Sequence, residues 1–267
     1  MTTKYEYILA EAKDRVLTVT INRPDARNAL HSKANAELAD AFDKFEADSE
    51  LRVAIITGAG GKAFCAGNDL KATAAGEGLN LPISGFGGLT SRFSCYKPII
   101  AAVNGMAMGG GFEIALACDI IIAEEGAVFA LPEPRVGLAA IGGGMHRLPR
   151  KIGLSRAMSL LLTGRRISAA EGKELGFVAE VAKGDAVIAA GRWADEILLC
   201  SPYAARAIKS VVMTGLEQPS LQTAMESERT NPQLVELFKS DDVKEGPRAF
   251  VEKRAPAWQV VPAKEKN

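Results

Sequence analysis

Two hydrophobic periodicities run through this chain, and they divide it. Residues 16–21, VLTVTI, alternate apolar and polar positions as a half-buried strand does, and residues 5–9 do the same. Lys13-Asp14 between them predicts a hairpin, and Asn22-Arg23-Pro24-Asp25 stops the second strand. Leu38, Phe42 and Phe45 then recur at helical spacing, which predicts a helix from about Ser32 to Ala47. Arg52 to Thr57 is a β-branched run without alternation, read as a strand buried on both faces. FCAGNDLKA (64–72) reads as a turn opening a helix, with Asn68 or Asp69 as its cap. Residues 75–88 are glycine-rich and aperiodic, so a mobile loop covering something is expected there, followed by a short helix across Leu89 to Cys95.

Further apolar runs at Ile99–Val103 and Ile120–Ala123 flank a helical pattern that carries Glu113. Beyond Gly137, a glycine cluster opens a basic helical turn, LAAIGGGMHRLPRKIG, and helices are predicted at 155–163 and 168–175. From about residue 182 only helical patterns remain: 185–199, 202–214, 220–238 and a last helix entered near Glu245-Gly246-Pro247 and ended by Pro256. The fold class is therefore α/β, with a repeated β–β–α core and a C-terminal helical extension. Residues 1–200 would form the core and 201–267 the helical region. An all-helical tail after a complete core commonly packs on a neighbouring subunit, so an oligomer is expected.

Composition narrows the function. Lys+Arg and Asp+Glu balance at 32 each, so no global field favours nucleic acid or an anionic membrane. No run approaches the ~20 apolar residues of a membrane-spanning helix, and the N-terminus has no basic segment followed by an apolar one. The four cysteines (Cys65, Cys95, Cys118, Cys200) stand singly, which reads as buried free thiols in a reducing, cytoplasmic setting. No His/Asp/Glu cluster has metal spacing, and no Walker A or GxGxxG motif occurs. His31 and His146 accompany no nucleophile elbow.

Chemistry concentrates between Pro98 and Gly137. An apolar strand reaches Gly109-Gly110-Gly111, where a helix begins, so backbone N–H groups can point at one bound oxygen. Glu113 lies nearly one helical turn on, among Phe112, Ile114, Ala115 and Leu116. The same features would also suit close helix–strand packing with an exposed first-turn acid. Glu133 stands between Pro132 and Pro134, either a fixed catalytic carboxylate or part of a surface turn paired to Arg135. The Asn68 N–H could join Gly110 as a second donor, and Lys71 could meet a phosphate; the alternative is an ordinary capped helix.

Three motifs in fixed order, AGNDLK (66–71), NGMAMGGGFEIALACDIIIA (104–123) and FALPEPRVGL (129–138), resemble the crotonase superfamily, the enoyl-CoA hydratase/isomerase fold. The resemblance runs from NRPDARNAL (22–30) through LTGRRISAAEGKELGFV (162–178) to the final helix, and is strongest to the carnitinyl-CoA (crotonobetainyl-CoA) dehydratase subgroup through 52–72 and 245–258. It implies a ClpP/crotonase-like spiral of β–β–α repeats, assembled as a homotrimer or a dimer of trimers. It also implies an acyl-CoA substrate, with coenzyme A part of that substrate and no separate cofactor or metal. Carried over by position, the oxyanion donors fall on Asn68 and Gly110 and the two acids on Glu113 and Glu133. The substrate-binding positions are Asp25, Ala26, Arg27, Ala66, Asp69, Leu70, Lys71, Gly109, Pro132, Gly137 and Ile141, with Phe250 and Lys253 reaching a neighbouring subunit's coenzyme A. Keeping both acids favours reversible hydration of a 2-enoyl thioester. Isomerisation, hydrolysis or decarboxylation on the same scaffold, and an idle acyl-CoA- or RNA-binding homologue, are the alternatives. Asn68 departs from the alanine or large aromatic of relatives. Ile141 and Met145 are apolar where a polar acyl group would need a partner.

Overall fold

The structure, a computed structural model, describes residues 4–76 and 78–262. Residue 77 of the expected loop, and the first three and last five residues of the two expected regions, lie outside the described residues. Strands β1 (Ile8–Lys13) and β2 (Val16–Ile21) pair antiparallel, from Ile8↔Ile21 to Lys13↔Val16. The turn is Asp14-Arg15, with positive φ at both residues, 48° and 68°, a twist that matches two right-twisted strands. The first strand thus starts later than the 5–9 pattern predicts, because pairing back from this turn sets its register. Tyr5 and Tyr7 serve the layer beneath instead: the Tyr5 hydroxyl donates to Asp40 at 2.7 Å, and Tyr7 sits edge-on to His31 at 4.4 Å.

Strands β3 (Val53–Gly58), β5 (Ile99–Val103), β7 (Ile120–Glu124) and β10 (Glu180–Ala182) extend β2 in parallel, giving the order β1-β2-β3-β5-β7-β10. A second sheet has the order β4 (Ala63–Cys65), β6 (Met106–Met108), β8 (Val128–Ala130), β9 (Ile167–Ser168). Each turn of the chain therefore runs from a long strand in the first sheet to a short one in the second, then to a helix. These helices are α2 (Leu70–Ala74) after β4 and α3 (Gly110–Ala117) after β6. After β8 come a 3-10 turn (Glu133–Val136), α4 (Gly144–Ile152) and α5 (Leu154–Thr163). The chain then returns through β9 and α6 (Ala169–Leu175) to β10. The strands of the second sheet have two or three residues each, too few to show a period.

Alternate strand residues serve opposite faces of the first sheet. Ala54, Ile56, Ile99, Ala101 and Val103 share a core with Leu38, Phe42 and Phe45 of α1 (Ser32–Ala47). Val53, Ile55, Ile100 and Ala102 pack against Ala186, Ala189, Ala190 and Ala194 of α7 (Ala186–Leu198). Burial on both faces is why these strands read as unbroken apolar runs. Helices α8 (Pro202–Gly215), α9 (Leu221–Glu228), α10 (Pro232–Lys239) and α11 (Asp242–Glu252) follow.

Five further expectations need correction. The 220–238 pattern is two helices, because Asn231 caps α10 by accepting from the Gln233 and Leu234 N–H groups and Pro232 occupies the first helical position. The last helix begins at Asp242, with Pro247 inside it. No helix spans 89–95. There the chain follows glycines of positive φ (Gly85, Gly87, Gly88), and Arg92 ties it to α1 through Ala39 O, Asp43 and Glu46. Phe86 to Thr90 are also buried, so the end of the expected mobile loop is a packed wedge. Finally, Cys200 is exposed, whereas Cys65, Cys95 and Cys118 are buried free thiols.

Candidate active site

Two glycine-bearing connections cross at van der Waals contact and create the site. Gly67, just beyond β4, has φ 88°, and Gly109, just beyond β6, has φ 54°, a region that favours glycine. A methyl group on Gly67 would lie 2.7 Å from the Met108 carbonyl and 3.2 Å from the Gly110 nitrogen, and one on Gly111 would lie 2.0 Å from the Cys65 carbonyl. The backbones thus touch where side chains would keep them apart. Gly110 is the first residue of α3, so its N–H has no acceptor within the helix and carries the positive end of the helix dipole. Asn68 is held beside it by a β-bridge to Leu30: Leu30 N–H donates to Gly67 O at 2.8 Å, and Asp69 N–H to Leu30 O at 3.0 Å. Phe86 covers this corner, its ring 2.5 Å from where a Gly110 methyl would sit.

Both acids arrive here. Glu113 is 4% exposed on the first turn of α3, over a triad of rings in which Phe112, Phe129 and Phe177 lie 5.1–5.2 Å apart. Its Oε1 accepts from Gly144 N–H at 2.8 Å. Its Oε2 lies 2.5 Å from where a Gly142 methyl would be. Burial pushes the Glu113 carboxyl up to about 7, against the Gly144 and Gly142 N–H bonds and the Arg147 charge, and the charge of Glu133 adds to the rise. Glu133 opens the 3-10 turn after β8. Its Oε1 lies 2.9 Å from a Gly109 methyl position, while its Oε2 is buried and has no hydrogen-bond partner among the described residues. Burial raises its pKa as well. Arg135 does not pair with it but donates to Thr163 O at 2.8 Å.

The other sequence-derived positions divide into those drawn together and those left apart. Ala66 N–H donates to Arg27 O at 3.1 Å, which joins 25–27 to the Asn68 connection. Asp25 and Arg27 line a groove of about 150 Å³ with Lys62 and Gly60, and buried Asn28 fixes its floor by donating to Ala59 O and Ala63 O; Ala26 lies in the same 3-10 turn. Asp69 is committed to structure: it caps α2 through the Lys71 and Ala72 N–H groups and pairs with Arg23 at 3.0 Å. Burial opposes its charge, yet Arg23 and the two N–H bonds prevail and its pKa is lowered. Leu70 and Lys71 are exposed on α2. Gly109 N–H donates to Ala130 O, tying the glycine turn to β8. Pro132 precedes the 3-10 turn, Gly137 closes it with φ 73°, and Ile141 is exposed beyond it. Phe250 and Lys253 stand exposed at the end of α11, and among the described residues no hydrogen bond or ion pair of that helix reaches the site.

Sequence reasoning missed the cradle of Glu113. In the sequence Gly142 and Gly144 only open a helical turn, but their backbone N–H groups hold the carboxylate. Arg147 locks that turn by donating to Gly142 O and to Thr90 O. Nothing local to GGG at 142–144 announces a partner 31 residues away.

The profile described as enoyl-CoA hydratase/isomerase matches residues 11–260. The chain is 41% identical over 249 residues to the carnitinyl-CoA dehydratase of Proteus mirabilis (strain HI4320), covering 91% of this chain and 95% of that one. Among solved structures it is similar to an enoyl-CoA hydratase from Mycobacterium tuberculosis H37Rv (TM-score 0.89, 42% identity, 96% of this chain and 99% of that one). It is also similar to a carnitinyl-CoA hydratase from Mycobacterium avium (TM-score 0.77, 40% identity, 97% and 100%).

Proposed function

Because the chain belongs to the enoyl-CoA hydratase/isomerase family, we propose that it is a hydro-lyase adding water reversibly across the 2,3 double bond of an enoyl-CoA thioester. The observation that carries this reading is the meeting of the buried Glu113 and the half-buried Glu133, whose Oε2 is buried, at the crossing of the Gly67 and Gly109 connections. Addition of water to such a thioester places negative charge on its carbonyl oxygen. Two N–H donors, assigned to Asn68 and Gly110, would stabilise that charge by roughly 3 kcal/mol each, as oxyanion donors do elsewhere. Glu113, with a pKa of about 7, is matched to take a proton from water near neutral pH. Glu133, with one oxygen free of partners, is assigned delivery of the α-proton.

The groove at Asp25, Arg27 and Lys62 suits the phosphates of coenzyme A, which enters as part of the substrate, with no further cofactor. The same reading carries a homotrimer or a dimer of trimers, with residues 1–200 as the catalytic core and 201–267 as the assembly region. It also carries a cytoplasmic location, supported by three buried free thiols and by the lack, among the described residues, of a helix long and apolar enough to cross a membrane. The test is to mix the purified chain with crotonyl-CoA and crotonobetainyl-CoA and follow the conjugated enoyl absorbance. Loss of absorbance, and its partial return from the 3-hydroxyacyl side, is expected for at least one ester; isomerisation or hydrolysis without hydration overturns the proposal.

A further inference from the structure

At the opposite end of the parallel strands, three arginines line one cleft, and among the described residues none of them is ion-paired, although Glu236 and Glu46 act on Arg206 from further away. Arg15 closes the β1–β2 hairpin and Arg52 immediately precedes β3; Arg52 N–H donates to Arg15 O at 2.8 Å, which fixes the two side by side. Arg206 reaches the same place from α8, and together they line a small cleft open to solvent with Glu50, Pro202 and Gln259. Among the described residues no carboxylate lies within 4.0 Å of any of the three guanidinium groups, although Glu50 shares the lining. Arg52 donates to Cys200 O. The half-buried Arg206 guanidinium makes no hydrogen bond at all among the described residues.

Arg15 is exposed, whereas Arg52 and Arg206 are half-buried, and half-buried guanidinium groups are ordinarily hydrogen-bonded or paired, because leaving donors and charge unsatisfied is costly. Two of these also work against each other: burial lowers the Arg52 pKa first, and the charges of Arg15 and Arg206 lower it further, with Asp242 opposing. A fourth cation stands behind Arg206. Lys97 is 3% exposed, its ammonium spent on the Phe45 and Asp48 carbonyls, and the Arg206 charge adds to the burial that lowers its pKa to about 8. Several forked donors around one cleft form the arrangement that holds a tetrahedral oxyanion.

We propose that this cleft is a second ligand site, separate from the catalytic one, which binds a phosphate group, free or as a phosphomonoester, between Arg15, Arg52 and Arg206. It joins the hairpin of the core to the start of the helical extension, so an occupied site clamps the two together. The proposal does not depend on the reaction assigned above.

Thermal unfolding of the full chain is measured with inorganic phosphate, with glycerol 3-phosphate, and with potassium chloride at matched ionic strength. A saturable rise in Tm of several degrees at a hundredfold excess over Kd is expected for at least one phosphate probe and not for chloride; the probe that responds tells free ion from ester. Arg206→Gln and Arg15→Gln each lose the rise, and neither gives up a side-chain hydrogen bond or ion pair present in the unliganded fold. Calorimetric titration of the same proteins with the responding probe shows at least a tenfold weaker Kd for either variant. A phosphate effect no larger than that of chloride, or one that survives both substitutions, overturns the site.

Discussion

The spiral core buries long apolar runs, whereas the helical extension buries few residues, and polar ones among them. In the core, β3 and β5 are buried along their whole length, and α3 seats Phe112 among other rings. In the extension, α9 buries nothing, α10 buries Gln233, and α11 buries Asp242 and Ala249. Its interior is joined by polar bonds, Ser210 to Asn231 and Ser201 to Asp242, while Val212, Met213, Leu216, Phe238 and Phe250 face outward. Burial of apolar area is the main favourable contribution to folding. One region therefore buries most of its apolar surface within the chain, and the other leaves much of its own exposed, the surface on which the proposed assembly would rest.

The sharpest way to test that division is to damage each side separately. The largest effect belongs to the two carboxyls proposed as catalytic: Glu113→Gln or Glu133→Gln is expected to lower crotonyl-CoA hydration by about 10²–10⁴-fold. Circular dichroism and coenzyme A binding should be unchanged, and normal turnover in both variants would remove the assignment. Next is the support under α3. Phe112→Ala should cost about 3–5 kcal/mol of unfolding free energy, read from denaturant titration, since it empties the ring cluster with Phe129 and Phe177.

A comparable effect should follow pH. Glu113 has a folded pKa of about 7 against an ordinary 4.5. Between those values the folded chain keeps a proton that the unfolded chain has released, so stability falls as pH rises through the window and the loss is complete above it. Glu113→Gln should remove that slope. Relative to the parent, the variant gains on the order of 3 kcal/mol between pH 4 and pH 8, at 1.36 kcal/mol per pKa unit; parallel stability–pH curves would refute the buried charge. The extension should answer differently. Phe238→Asp or Phe250→Asp leaves the stability of the isolated chain within about 0.5 kcal/mol, as surface changes do, but lowers the assembled mass seen by light scattering. The smallest effect is expected at Asn68→Ala, where the donor is backbone and turnover should change less than tenfold.

Much of the scaffold was legible in one dimension. The α1 helix, the apolar strands β3, β5 and β7 and the succession of C-terminal helices all carry a period that their burial imposes. The short strands β4, β6, β8 and β9 carry none, and the first strand was misplaced because a turn with φ of 48° and 68° at Asp14 and Arg15 sets its register. The segment 86–92 was expected partly as loop and partly as helix; contacts of Arg92 with α1 decide its course.

By itself the sequence determined which residue types stand where: glycines at 67, 109 and 110, acids at 113 and 133, and apolar neighbours to shield them. Only the tertiary structure decided what those acids touch. The Gly144 N–H that holds Glu113, the Glu133 oxygen without a partner among the described residues and the three arginines gathered at the far end come from segments tens of residues apart. Local propensity fixes the period of an element, but burial and charge at a site are set by whatever the rest of the chain brings against it.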